Sequence, residues 1–468
     1  MKARNHESIR NIVKFVEGLC LQICFTAIFA WIWYGKFNRM MLRSYENKGN
    51  LLIIVVYTVI LFVFLYTLGG YKIGVYKRGS VALSQGIALV CTNGVTFLIL
   101  VLMIGDLHRI GIMIRYTLEY TLLQIAVSIV LIIIETAVFR KLYPPKKMVV
   151  LYEKKSADHI IKKIQTREDK YIISDTIMVD KLWEKNLVSL SGEFEAVLLY
   201  DISSEYRNDI LKKCYDREIP AYIVPKISDI LVRTADEIQI FDTPLVVSKN
   251  FGLSAEQVVL KRLIDIMLAL IAIIVTLPII LITALLIKMD DGGPVFYKQA
   301  RCTTNNKIFY IIKFRSMITD AEKDGVARLA TENDDRITKI GHFIRKTRID
   351  ELPQFFNILK GDMSFVGPRP ERPEIIEEYC KEFPEFSFRT KVKAGLTGYA
   401  QVYGKYNTTS YDKLKWDLLY IQKYSIGLDL MLIVMTLKII FMKESTQGLE
   451  EGKATAISGE NEDLINGK

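Results

Sequence analysis

Four apolar runs crowd the start of the chain, at about Phe15 to Tyr34, Leu51 to Leu68, Val81 to Gly105 and Tyr120 to Phe139. Each approaches or exceeds the ~18 residues from which a membrane-crossing helix is read, and lipid offers no partner to a free backbone N–H, so helices are expected. Residues 1–145 therefore read as a four-helix transmembrane domain. An even number of crossings returns the chain to its starting side. With the N-terminus in the cytoplasm, Lys2, Arg4, Arg10, Lys14, Lys72, Lys77, Arg78, Arg140, Lys141, Lys146 and Lys147 lie inside, against Lys36, Arg39, Arg43, Lys48, Arg109 and Arg115 outside. That is the sense the positive-inside bias favours. No small-residue cleavage site clearly follows the first run, so it is expected to stay as an anchor. Glu135 lies within the fourth run, where a carboxylate is a functional candidate, yet it is close enough to Arg140 and Lys141 to reach the interface.

After Pro144 and Pro145 the pattern changes. Met148 to Tyr152, Ala196 to Tyr200 and Ala221 to Val224 read as strands, with Asp158 to Thr166 and Ser204 to Arg217 as helices between them. Strands alternating with helices imply a parallel sheet, a Rossmann-like α/β domain over residues 146–247. A dinucleotide would need a glycine-rich turn after the first strand, and the sequence there is Glu153-Lys154-Lys155-Ser156. The domain is read as structural or regulatory, without a dinucleotide.

A fifth apolar run, about 263–287, follows Lys261-Arg262 and contains Pro278, which removes a backbone hydrogen bond and should break or kink a helix. It reads either as a fifth span or as a helix-break-helix that dips into one leaflet. From Gly292 onward the chain is mixed α/β with short basic clusters. It includes an apolar stretch, Leu428 to Phe441, suited to an interface, and then a polar tail, 444–468, expected to be disordered.

The net charge of +10 suits anionic lipid or phosphate-rich substrates; with membrane segments present these are preferred to nucleic acid. Six cysteines form no CxxC pair and four histidines show no metal-ligand spacing, so neither a disulfide framework nor a zinc site is supported. A metal, if bound, falls to carboxylates and phosphates, which favours Mg2+.

The densest chemistry lies in Gly341 to Gln354, where Arg345, Lys346 and Arg348 precede Asp350 and Glu351. On a helix two adjacent carboxylates point about 100° apart and can address two partners, such as a phosphorus and a metal ion. Acidic residues before Pro353 equally suit a plain helix N-terminus. Lys313 and Arg315 end a strand from Ile308 to Ile312, two residues apart, so they can share a face and grip one anion, or form a solvated edge. Arg369 sits in a proline-bounded turn, Val366 to Pro373, that should fix its direction.

These blocks, in order, resemble the bacterial sugar transferases, the polyisoprenyl-phosphate hexose-1-phosphate transferases or monotopic phosphoglycosyl transferases. The resemblance spans about Lys261 to Phe441. It rests on Lys261, Arg262 and Asp265, the Pro278 helix, Gly293-Pro294-Val295-Phe296-Tyr297 with Gln299 and Arg301, Lys313 to Met317, Asp350 to Gln354, Gly361 to Pro370 and Gly395 to Gly398. Arg348 stands where a small hydroxyl residue is common, and Ala394 where proline is.

The resemblance implies a catalytic domain over 248–443 with a re-entrant membrane helix, on the cytoplasmic face of a bacterial inner membrane where nucleotide sugars are made. The fold class is thus a membrane protein with an α-helical bundle, an α/β middle domain and a mixed α/β catalytic domain. A hexose 1-phosphate would move from a UDP-sugar to undecaprenyl phosphate, releasing UMP, in exopolysaccharide, capsule or O-antigen synthesis. In that scheme Asp350 is the nucleophile, Glu351 with Asp350 holds Mg2+, and Lys313, Arg315, Arg345 and Arg369 clamp phosphates. Lys261 and Arg262 would anchor the helix at the headgroup plane, with Asp265 paired to one of them. Glucose or galactose phosphate is the first cargo the family suggests, and a homodimer stays open. An epimerase or dehydratase lacks its glycine-rich turn here. The remaining competitor is a non-catalytic membrane sensor or scaffold that binds a nucleotide sugar without reacting.

Overall fold

The four N-terminal runs lie in helices α1 (Lys2–Ile32), α2 (Lys48–Leu68), α3 (Arg78–Ile104) and α4 (Ile110–Leu142) of the computed structural model, which describes residues 2–41, 43–154, 157–180, 183, 194–248, 252–318, 336–404 and 408–440. With the long helix near the middle of the chain, five helices among the described residues are long and apolar enough to cross a membrane, and the chain is a membrane protein. Polar side chains inside the bundle find one another, as they must where lipid offers no partner. Asn93 donates to Thr121 and Gln124 at 2.8 and 2.9 Å and accepts from the Tyr57 hydroxyl at 3.1 Å; Gln124 donates to the Phe25 carbonyl at 2.9 Å. This one cluster ties all four helices together.

The same compact unit, Met1–Lys226, contains the middle sheet. Its strands β1 (Lys146–Tyr152), β2 (Tyr171–Met178), β3 (Ala196–Tyr200) and β4 (Ala221–Ile223) run parallel in the order β2-β1-β3-β4. Helices α5 (Asp158–Gln165) and α6 (Ser204–Asp216) intervene in the sequence. Val149, Leu151, Val197 and Leu199 pack against Ile210 and Cys214 on one face, while Met148, Val150, Ala196 and Leu198 pack with Ala157 on the other. Burial on both faces is what a parallel sheet covered by helices demands, and it explains the continuous apolar runs. Where a glycine-rich turn would stand, the Glu153 carboxylate instead accepts the Ser203 N–H at 2.5 Å, at the start of α6.

The second unit begins at Ile227, in helix α7 (Ile227–Arg233), whose Ile227 and Ile230 enter its core. A hairpin of β5 (Asp236–Ile240) and β6 (Thr243–Val247) follows, then helix α8 (Ala255–Asp291). A capping box opens α8: Ser254 Oγ accepts the Gln257 N–H and Gln257 returns its side-chain oxygen to the Ser254 N–H. Of the two effects expected of Pro278, a break or a kink, the break is not seen: α8 is one 37-residue element with Pro278 inside it. Strands β7 (Phe296–Cys302) and β8 (Ile308–Phe314) pair antiparallel, Phe296 opposite Phe314. Helices α9 (Lys339–Lys346) and α10 (Gln354–Lys360) come next, joined by the short turn Ile349–Glu351. Strands β9 (Ser364–Val366) and β10 (Gly395–Thr397) pair parallel, and α11 (Pro373–Glu382), α12 (Tyr399–Tyr403), α13 (Ser410–Gln422) and α14 (Ile426–Ile440) complete the unit. Leu432 of α14 is fully buried in the core while Leu430 and Leu437 are exposed, so the stretch expected at an interface is half built into the domain. The tail expected from 444 lies outside the described residues.

Candidate active site

Asp350 and Glu351 sit in the turn between α9 and α10, and Asn357 fixes that turn against the hairpin. Its amide donates to the Tyr310 carbonyl at 2.8 Å and its oxygen accepts the Ile312 N–H at 2.9 Å. Asn357 is buried, so these bonds form away from water and hold α10 in register with β8. Lys313, the next residue of β8, thereby meets Glu351, with Nζ 3.3 Å from Oε1. Arg348 and Arg369 approach the same oxygen at 3.6 and 3.9 Å. Arg348 takes left-handed backbone, with φ of 59°, to turn the chain from α9 into Ile349–Glu351. A branched or bulky side chain is strained there, which marks the turn as one the surroundings enforce.

The carboxylates are driven apart electrostatically. Burial alone would raise the Glu351 pKa, but Lys313, Arg369 and Arg348 outweigh it and hold the carboxyl far below its usual range. Asp350 moves the other way: burial and the neighbouring Glu351 charge raise it, only partly offset by Lys313, Arg348 and Arg345. Lys313 is itself lowered by burial, against the pull of Glu351. Oδ1 of Asp350 is buried with no hydrogen-bond partner among the described residues. An ionised oxygen so placed is poorly solvated and hence a better nucleophile than one in water.

The Arg369 turn is held from beneath. The Arg389 Nη2 donates to the Arg369 carbonyl at 2.9 Å and lies 2.9 Å from Asp417 Oδ2, while Nη1 lies 3.7 Å from Glu371 Oε1. Arg301 approaches the other Glu371 oxygen at 3.9 Å and donates to the Pro370 carbonyl at 3.2 Å. Gly367 and Gly395 let this turn and β10 touch: a Cβ on either would strike the opposing backbone.

A family model described as bacterial sugar transferase matches residues 256–443. The chain is 38% identical over 243 residues to a UDP-N-acetylgalactosamine-undecaprenyl-phosphate N-acetylgalactosaminephosphotransferase of Aeromonas hydrophila, covering 51% of this chain and 56% of that one. It is 36% identical over 273 residues to a UDP-glucose:undecaprenyl-phosphate glucose-1-phosphate transferase of Klebsiella pneumoniae, covering 57% and 54%. An uncharacterized sugar transferase of Bacillus subtilis is 38% identical over 203 residues, 43% of this chain and 96% of the relative. The chain belongs to the bacterial sugar transferase family. For several of these sugar transferases the match spans only about half of the relative's length.

Of the residues expected to form the sugar transferase site, Asp350, Glu351, Lys313 and Arg369 are brought together, and Arg345 acts on Asp350 through its charge. Arg315 and Lys313 take different carboxylates: the Arg315 guanidinium pairs with Asp291 at the end of α8, and Lys313 with Glu351. The residues expected to anchor α8 at the headgroup plane turn inward. Lys261 is buried, 2.5 Å from Asp429 and above the Tyr420 and Tyr424 rings. Arg262 donates to the Ile358 and Leu359 carbonyls at the end of α10, each at 2.6 Å. Asp265 pairs with neither; it accepts the Ser364 hydroxyl and the Phe365 N–H, both at 3.0 Å. Charges on an apolar helix are stable where a packed domain offers counter-charges and orphan carbonyls; α14 offers the first, in Asp429, and the end of α10 the second. Asn357 and Arg389 escaped the sequence reading because their partners lie far along the chain.

Proposed function

We propose that this protein transfers a hexose 1-phosphate from a UDP-sugar to undecaprenyl phosphate in two displacements. In the first, an ionised Asp350 oxygen attacks the phosphorus that carries the sugar, the bond from that phosphorus to the bridging oxygen breaks, and UMP leaves. In the second, an oxygen of the carrier phosphate attacks the same phosphorus, the bond to Asp350 breaks, and undecaprenyl-diphosphate-sugar is formed. The observation that carries this reading is the buried, partnerless Asp350 oxygen beside a Glu351 ringed by Lys313, Arg348 and Arg369. A nucleophile and cations aimed at one point suit phosphoryl transfer, where positioning and charge stabilisation carry most of the catalysis. Lys313, Arg345 and Arg369 are assigned to the phosphates of the donor.

Two carboxylates suit Mg2+, and the donor set fits: Asp350 has its free oxygen, and the three cations all approach Oε1 of Glu351, which leaves Oε2. Bound there, Mg2+ would neutralise charge on the phosphate oxygens. No group of three or more potential protein ligands occurs among the described residues, so phosphates and water would complete its shell.

The catalytic unit is assigned to the cytoplasmic face of the inner membrane, with α8 re-entrant. What supports re-entry is that both ends of α8 are tied to the same unit, Arg262 to the end of α10 and Asp291 to Arg315 just past β8, with Pro278 between them. A straight crossing of 37 residues, about 55 Å, would carry one end away from that domain. Such an enzyme would perform the first membrane step of exopolysaccharide, capsule or O-antigen synthesis. The test is UMP release by purified protein with undecaprenyl phosphate and Mg2+ across a panel of UDP-sugars. Release with at least one sugar, lost in Asp350→Ala, is expected; no release from any sugar by folded protein would overturn the reading.

A further inference from the structure

Arg315 has fewer partners than its position calls for. Its side chain is 7% exposed; Nη2 meets the Asp291 carboxylate, but Nε and Nη1 are buried without an acceptor among the described residues. A guanidinium presents five donors in a planar fork, and each one buried without an acceptor costs stability. The deficit suits an anion with several oxygens better than a single carboxylate. Gly293 roofs the group, since a Cβ there would collide with the guanidinium.

The surroundings are those of an amphiphile. Arg315 follows Phe314, which stacks on Phe296 at 5.4 Å and packs with Ile280, Ile287 and Ile344. Met289, Phe296, Ile318 and Phe343 stay exposed on the elements that meet at this corner. Apolar side chains at the end of an apolar helix offer an isoprenoid chain a course and offer ribose hydroxyls and base edges nothing to hydrogen-bond. Lys313, two residues away, reaches Glu351, so an anion on Arg315 lies beside the reacting groups.

We propose that Arg315, beneath Gly293, grips the phosphate of the polyprenyl carrier, and that Asp291 is the counter-ion it gives up on binding. The assignment rests on the transfer proposed above and divides the cations: Lys313, Arg345 and Arg369 take the donor, Arg315 the carrier.

Binding of undecaprenyl phosphate to the full-length protein in non-ionic detergent tests it without turnover. Arg315→Gln should weaken that binding roughly tenfold, the worth of one charge-assisted contact, and leave the KM for the UDP-sugar within about twofold. Asp291→Asn removes the competing carboxylate and should tighten carrier binding, a change of opposite sign that a purely structural pair would not give and that decides the matter if Arg315→Gln does not fold. Unchanged binding in Arg315→Gln, weaker binding in Asp291→Asn, or equal displacement of the carrier by phosphatidylglycerol would overturn the assignment, the last by making Arg315 a general headgroup contact. Intact carrier binding with no UMP release from any sugar would sink the transfer reading and leave this site standing.

Discussion

Replacing Arg389 by alanine removes one guanidinium and leaves three groups without it. The side chain is 3% exposed, lies between Asp417, Glu371 and the Arg369 carbonyl, and stacks 4.8 Å from the Phe386 ring centre. Asp417, 1% exposed, loses its principal counter-ion. Breaking a buried pair from one side costs about 3–5 kcal/mol, because the other charge stays buried and unpaired. At about 2–4 °C per kcal/mol for a unit of this size, Arg389→Ala should lower the apparent Tm by roughly 6–20 °C, read at one scan rate in one detergent.

Two further results follow from the same physics. The double variant Arg389→Met with Asp417→Leu should recover at least half of the loss, since neither member of that pair is left buried without the other. Burial pushes the Asp417 carboxyl from 3.8 up to about 6 despite Arg389. The folded state therefore binds the proton more tightly than the unfolded chain. That contribution to stability is complete below about pH 4 and is lost as the pH rises through about 6. Without Arg389 the carboxyl rises further, so the deficit of Arg389→Ala should shrink between pH 7 and pH 5. A loss under about 2 °C, a double variant no better than the single, or a deficit that grows in acid would refute the account.

Other expectations concern the site and its supports. Lys313→Gln removes the nearest cation from Glu351 and should lower kcat/KM about a hundredfold, on the scale of losing one transition-state donor; unchanged kinetics would exclude Lys313 from the reaction. Asp350, raised to about 6, must be ionised to attack, so kcat/KM for the UDP-sugar should fall as the pH drops through and below that value; a flat profile down to pH 5 would contradict it. Asp265→Ala strands the Phe365 N–H and the Ser364 hydroxyl and should cost about 1–3 kcal/mol, whereas Asp265→Asn, which keeps an acceptor, should cost less; equal losses would point to packing.

What the sequence made legible followed from local pattern. The apolar runs of α1 to α4 and the strands β1 and β3, buried on both faces, are written in consecutive residues, and Asp350-Glu351 stands out because charges crowd one turn. What stayed hidden depends on partners far away in the chain. Lys261 meets Asp429 across 168 positions and Asn357 meets Ile312 across 45, so neither the inward turn of the α8 charges nor the lock on the active turn shows in a window of residues. The strands β5 and β6 are exposed almost throughout and carry no alternation of burial to betray them. Pro278 leaves α8 a single element for a related reason: its cost is local, while flanking turns bury Ala269 on one side and Ile280 on the other.

The central claim is that a phosphosugar is carried on Asp350, and intact-mass and peptide-mass analysis tests it most directly. Full-length protein incubated with its UDP-sugar and Mg2+, and no undecaprenyl phosphate, should gain the mass of one hexose phosphate on the peptide containing Asp350 and lose it when undecaprenyl phosphate is added. An active preparation that never carries that mass, or carries it on another residue, would contradict the account.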